Sequence, residues 1–289
     1  MIMTDAAAEL ASGKGHKDEN FPVASFILKP KHRAVVMAFY RFARKADDVA
    51  DHPTQAPEGK LALLERMRAT LAGESDVDPE ALALRKAQIE RGITDQHGLD
   101  LLEAFRRDVT KLRYANWAEL LDYCRYSAMP VGRFVLDVHE EDRALWPAND
   151  ALCAALQVIN HLQDCAKDKA EIDRVYVPQD ALAAAGCSVE DLTAPQASPA
   201  LKGVIAGLAE QTWGLLDTSR PFAKGVKDGR LAYEVALIQR LAEDLTRKLM
   251  RRDPLSERVH HTKLETLGLA ALAARDRLVG RSELYSAMR

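Results

Sequence analysis

Cysteine is scarce and scattered: Cys124, Cys153, Cys165 and Cys187 are the only four in 289 residues, with no C-x-x-C pair and no histidine cluster beside them. That spacing argues against a disulfide framework or a zinc site and leads us to expect a reducing, cytoplasmic setting. Neither sign of charge dominates, the formal net charge being -3, and no stretch is strongly basic, so nucleic acid is not an expected partner. No apolar run approaches the roughly 18–20 residues of a membrane span. The first twenty residues are too polar and acidic for a signal peptide. β-type alternation of useful length, internal repeats, low-complexity segments and a convincing interdomain linker are all missing, which points to one all-α domain.

What is present is an ample core, with 47% hydrophobic and 29% charged residues. We expect a disordered tail over residues 1–17 and a helical domain over 18–289. A short apolar element is expected at Asn20–Leu28 and a long helix at Lys31–Asp51. Further helices are expected near 60–71, 80–91, 99–109, 198–217, 230–251 and 263–277. Trp117–Leu136 is apolar but interrupted by Met129-Pro130 and Gly132. It reads either as a helix bent to line a cavity or as a simple passage between two helices.

Two acidic stretches carry the chemistry. In LQVINHLQDCAKDKAEIDRVYVP (Leu156–Pro178), Gln157, Asn160, Asp164 and Asp168 are spaced 3, 4 and 4 apart. On a helix they share one face, set among Leu156, Ile159 and Leu162. Carboxylates four residues apart repel each other, and more so when buried, so the face requires a cation. In YRFARKADDVAD (Tyr40–Asp51), Asp47, Asp48 and Asp51 repeat the pattern, and Arg44 adds a planar fork suited to phosphate oxygens. Either cluster alone would suit a solvated helix face. Two facing each other across a bundle, with Arg44 and Arg174 nearby, imply a hard divalent cation bridging to a polyanion, most simply a diphosphate. Ionisation of that diphosphate would leave a carbocation needing an apolar, largely dry chamber. Tyr40 and Tyr123 could face such a cation with their rings, though both also suit ordinary packing.

With those motifs in hand, the sequence resembles the squalene and phytoene synthases over nearly its whole length. YRFARKADDVAD resembles their first aspartate-rich motif and LQVINHLQDCAKDKAEIDRVYVP their second, while YCRYSAMPVG puts Tyr123 at the place of their active-site tyrosine. The resemblance implies a single-domain helical bundle of the isoprenoid synthase type around a central cavity. It also implies a prenyl diphosphate substrate, two or three Mg²⁺ ions, and catalytic roles for Asp47, Asp164 and Tyr123. Asp47, Asp48, Asp51, Asn160, Asp164 and Asp168 would hold metal. Tyr40, Arg44, Gln157, Asn160, Gln163 and Arg174 would contact substrate.

Three features are similar to the hopanoid-pathway subgroup of the family: Gln163 where many members carry Arg, Met129-Pro130 in the central motif, and ENFPVAS at Glu19–Ser25. They imply conversion of presqualene diphosphate to hydroxysqualene with release of diphosphate and no use of NADPH. Loss of a diphosphate-contacting Arg at position 163 would suit an enzyme that ionises one diphosphate instead of joining two substrates. The alternatives are head-to-head condensation of two farnesyl diphosphates and a non-catalytic assembly protein of the same fold. A C30 product suggests peripheral association with the inner membrane face and contact with the enzyme that supplies presqualene diphosphate.

Overall fold

The computed structural model describes residues 30–279, with side chains over 31–276; the expected tail at 1–17 and the element at Asn20–Leu28 lie outside them. Among the described residues the structure is helical, and extended pairing is confined to one isolated bridge, between Arg113 and Val175. The order is α1 (Pro30–Ala50), α2 (Pro57–Leu71), α3 (Pro79–Arg91), α4 (Gln96–Thr110), α5 (Trp117–Ser127) and α6 (Met129–Val138). Then follow α7 (Trp146–Gln163), α8 (Cys165–Ile172), α9 (Gln179–Ala184), α10 (Pro199–Ser219), α11 (Phe222–Gly225), α12 (Gly229–Leu249) and α13 (Lys263–Val279).

Local chemistry explains most boundaries. Asp78, Asn116 and Ser198 cap α3, α5 and α10 by accepting from the backbone N–H of Ala81, Glu119 and Leu201 at 3.0, 3.0 and 3.2 Å. Proline stands in the first turn of α2, α3 and α10, where its missing N–H costs nothing; α2 and α3 begin three and one residues earlier than apolar periodicity suggests, and α10 one residue later.

Two apolar clusters hold the bundle. Val35, Phe39, Phe42, Ala46 and Val49 repeat at 4, 3, 4 and 3 along α1 and bury one stripe against α2, α3 and α4. Phe39 stacks on Phe134 of α6 at 4.0 Å between centroids. The larger cluster surrounds α7, which packs most extensively against α10 and also meets α5, α6 and α12.

Where α1 begins, His32, His139 and Asp228 bring their donor atoms within 4.8 Å of one another. A guanidinium can only donate, so Arg91 Nη2, 2.7 Å away, donates to Nδ1 of His32. Burial, then His139, Lys31 and Arg91, push His32 down to about 4. With one ring nitrogen of His32 already accepting from Arg91, we read the group as a packing joint.

The interrupted stretch is two helices broken at Ala128, with Pro130 in the first turn of α6. A Cβ added at Gly132 would stand 2.0 Å from Asn149 Oδ1 and 2.6 Å from Cys153 Sγ, both on α7. The glycine therefore sets how closely α6 approaches α7, the helix carrying the second acidic motif. Gly132→Ala should lower stability by about 1–3 kcal/mol through overpacking. A thermal melt checks this, and an unchanged midpoint would show that the α6–α7 contact can relax freely.

Candidate active site

The second acidic motif is not one uninterrupted helix. α7 ends at Gln163 and α8 begins at Cys165, but the Asp164 N–H donates to the Asn160 carbonyl at 2.9 Å and the Asp168 N–H to that of Asp164 at 2.8 Å. The i to i−4 spacing survives the joint, and with it the polar face. Asp173 then ends α8 in the left-handed region at φ 50°, held by Lys169 Nζ at 2.6 Å and Arg113 Nη2 at 2.7 Å. An aspartate tolerates that conformation better than most residues. The turn sends Arg174–Pro178 back beside the segment after α4: the Val175 N–H donates to the Leu112 carbonyl at 2.9 Å, and that of Gln179 to Tyr114 at 2.9 Å. Arg174 and Tyr176 are thereby delivered inward, both buried.

A cavity of about 600 Å³ opens between these elements. Asp47, Asp48 and Asp51 form one wall of it, and Asn160, Asp164 and Asp168 another. Arg44, Tyr123, Gln157 and Arg174 also line it. Arg44 is engaged by its own helix, at 2.6 Å to Asp47 Oδ2 and 3.0 Å to Asp48 Oδ1. Arg174 crosses between the motifs: Nη1 donates to Asp51 Oδ1 at 2.9 Å and Nη2 to the Asp108 carbonyl at 2.8 Å.

Two residues expected to contact substrate do not line this cavity. Gln163 does not line the cavity; its amide Nε2 donates to the Val259 carbonyl, so the side chain pins the loop after α12. Positioned about 100° around the helix from Asp164, it cannot share that face. Tyr40 is also outside the wall. It stands on the right stripe of α1 but two turns before Asp47, about 10 Å along the axis. The cavity is also more polar than the dry chamber expected, its apolar contribution coming from Phe105, Ile172 and the rings of Tyr123 and Tyr176.

Three further residues complete the site. Asp108 of α4 is buried and accepts from Tyr123 Oη on Oδ2 and from Tyr176 Oη on Oδ1, each at 2.9 Å. Burial raises it to about 6, against the opposing pull of Arg174 and the two hydroxyls. His161 stacks on Tyr176 with centroids 3.4 Å apart and lies 3.1 Å, Nε2 to Nε2, from Gln157. Burial and then Arg174 push His161 down to about 3, so the imidazole is neutral near neutral pH.

The family model described as squalene/phytoene synthase matches residues 14–265. The chain belongs to the squalene/phytoene synthase family. It is 58% identical to a hydroxysqualene synthase of Zymomonas mobilis over 94% of this chain and 92% of that protein. A hydroxysqualene synthase of Rhodopseudomonas palustris is 53% identical over 96% and 95%. The crystal structure of a squalene synthase from Alicyclobacillus acidocaldarius superposes with a TM-score of 0.68 at 31% identity, covering 95% of this chain and 92% of that one. The fold is thus the all-α isoprenoid synthase fold, and the chain is an enzyme of this family.

The donor set fits a hard divalent cation: carboxylate and amide oxygens on two opposed walls, without thiolate. Burial first, and then the neighbouring carboxylate Asp51, raises Asp47 to about 7; burial and then Asp164 raise Asp168 to about 7. Both values exceed the ordinary carboxylate pKa, so the fold binds more protons than the unfolded chain between about pH 4 and 7. In chelator, the contribution of these groups to stability therefore declines as pH rises through that window. Adding Mg²⁺ should raise the melting midpoint by several degrees at pH 8 and by much less at pH 5. A Mg²⁺ effect equal at both pH values would contradict carboxylate ligation here.

Proposed function

We propose that the protein converts presqualene diphosphate to hydroxysqualene and diphosphate, as a Mg²⁺-dependent enzyme using no NADPH. The observation that carries this reading is the meeting of both acidic motifs in one cavity, in a chain more than half identical to proteins named hydroxysqualene synthase. Asp47, Asp48 and Asp51 on one side, and Asn160, Asp164 and Asp168 on the other, would hold the cations. When bound, Mg²⁺ would supply positive charge to the departing diphosphate and so favour ionisation of its C–O bond.

The chain's own residues account for the rest. Arg174, held in place by Asp51 and the Asp108 carbonyl, presents fixed positive charge at the end where diphosphate charge develops. Arg44 could exchange its carboxylate partners for phosphate oxygens once cations satisfy those acids. Tyr123 and Tyr176 line the cavity, and with the Tyr176 ring stacked between His161 and Tyr114 it is Tyr123 that would offer a carbocation a negative ring face. Because both hydroxyl protons are committed to Asp108, neither phenol is aimed at the cation as a donor.

Among the described residues no helix is long and apolar enough to cross a membrane. We place the enzyme in the cytoplasm, peripheral to the inner membrane face, receiving its water-insoluble substrate from the enzyme that makes it.

Purified protein with Mg²⁺, offered presqualene diphosphate and farnesyl diphosphate separately and without NADPH, should yield hydroxysqualene from the first and nothing from the second. Mass spectrometry of the extracts reads the result. Condensation of farnesyl diphosphate would keep the fold and site but replace the reaction, and inactivity on both would favour the assembly-protein reading.

A further inference from the structure

Helix α13 has more apolar surface than its packing uses. Leu269, Ala270 and Ala273 form one stripe, which closes on Tyr233, Leu237 and Leu241 of α12. A helix that only covered its neighbour would need no second stripe. Yet Leu264, Leu267, Ala271 and Leu272 turn away from α12 and are exposed, Leu264 by 79% and Leu267 by 68%. Of the seven large apolar side chains exposed among the described residues, three stand here within nine positions, whereas the other four are scattered between Val77 and Val131. Such residues exposed singly are ordinary; grouped on one face they mark a surface that meets something.

The charge around that stripe is mainly positive. Arg251, Arg258, Lys263 and Arg275 are exposed on α13 or in the segment leading into it. No single run there is basic, but residues 247–289 hold ten Lys and Arg against five Asp and Glu, a net charge of +5. The total of -3 then leaves -8 for residues 1–246, so the two parts of the chain differ in sign. Exposed leucines edged with Lys and Arg suit a helix lying in the plane of a lipid interface, its leucines at the acyl boundary and its cations on anionic headgroups. A second copy of the chain would instead bring this basic rim against itself, which like charge opposes.

We propose that the outward face of α13 seats the enzyme on a bilayer bearing anionic lipid. The choice of a bilayer rests in part on the functional reading above, in which substrate and product are water-insoluble; the leucine stripe and its charge stand apart from that reading. The surface is also tied to the site. Gln163, the residue before Asp164, donates from Nε2 to the Val259 carbonyl in the loop that leads into α13. A bilayer under α13 is thereby held in a fixed relation to the acidic cavity.

Flotation of the whole protein with vesicles of phosphatidylcholine, alone or mixed equally with phosphatidylglycerol, tests this without substrate. Wild type should float with the mixed vesicles, less so at high salt, and stay behind with phosphatidylcholine alone. Leu264→Asp combined with Leu267→Asp should weaken binding to the mixed vesicles at least about tenfold. Its melting midpoint, and its diphosphate release from presqualene diphosphate presented in detergent, should stay at the wild-type level. Lys263→Glu combined with Arg275→Glu should weaken binding too and flatten its salt dependence. A wild type that binds neither vesicle, or binding that the leucine substitutions leave intact, would overturn the proposal. So would a wild-type dimer that those substitutions dissociate, or a fall in their melting midpoint, since the stripe would then be covered by a second copy or by another part of the chain. Because binding is read without substrate, its failure leaves the product assay standing, and a wild type that makes no hydroxysqualene leaves the vesicle result standing.

Discussion

A single buried guanidinium ties the site together. Arg174 is 6% exposed at its side chain, and taking such a charge out of water costs several kcal/mol unless its donors are met. Asp51, just past the end of α1, and the Asp108 carbonyl on α4 meet two of them, and Tyr176 Oη stands 3.3 Å from Nη1. The first motif, the second motif and the polar centre of α4 are therefore bound to one side chain. Removing Arg174 would take the ion-pair partner from Asp51 and leave the buried Asp108 without the cation that opposes its burial, and both walls of the cavity would lose their common anchor.

Everything upstream serves to deliver that side chain. The left-handed turn at Asp173, secured by Arg113 and Lys169, ends α8 and redirects the chain. Backbone pairing between residues 112–115 and 175–180 then fixes the depth to which Arg174 and Tyr176 enter. Opposite them, Gly132 allows α6 close to α7. The consequence is an excess of carboxylate oxygen facing a few held cations. Such a cavity pushes Asp47 and Asp168 toward protonation, a cost that the divalent ion proposed here would relieve. Burial, and then the nearby Arg174, keep His161 neutral where it stacks on Tyr176.

Much of this was legible in the sequence. The 3.6-residue repeat of α1 and the 3, 4, 4 spacing of Gln157, Asn160, Asp164 and Asp168 are enough to put the two acidic faces on helices. Asp108 carried a readable signal too: with Leu101 and Phe105 it forms an i, i+4, i+7 series, placing a carboxylate on the apolar side of α4. His161 falls within about 40° of the Gln157 direction on the helical wheel, whereas Gln163 is roughly 120° away. The wheel thus favours the histidine over the glutamine that family comparison singled out. Illegible were the features that depend on three-dimensional closure: the turn at Asp173, held in part by Arg113, and the bonding of Tyr123 and Tyr176 to one carboxylate. Each depends on segments far apart in the chain meeting at the cavity, which no local pattern encodes.

The central claim is that the two acidic walls form one cation-and-diphosphate site instead of two separate charged faces. Calorimetric titration of inorganic diphosphate, with and without saturating Mg²⁺, tests it on wild type and on Asp168→Asn. The account predicts that Mg²⁺ tightens diphosphate binding at least about tenfold, a coupling of roughly 1.4 kcal/mol, and that changing one wall removes most of that coupling. Diphosphate affinity independent of Mg²⁺, or coupling left intact by Asp168→Asn, would contradict it.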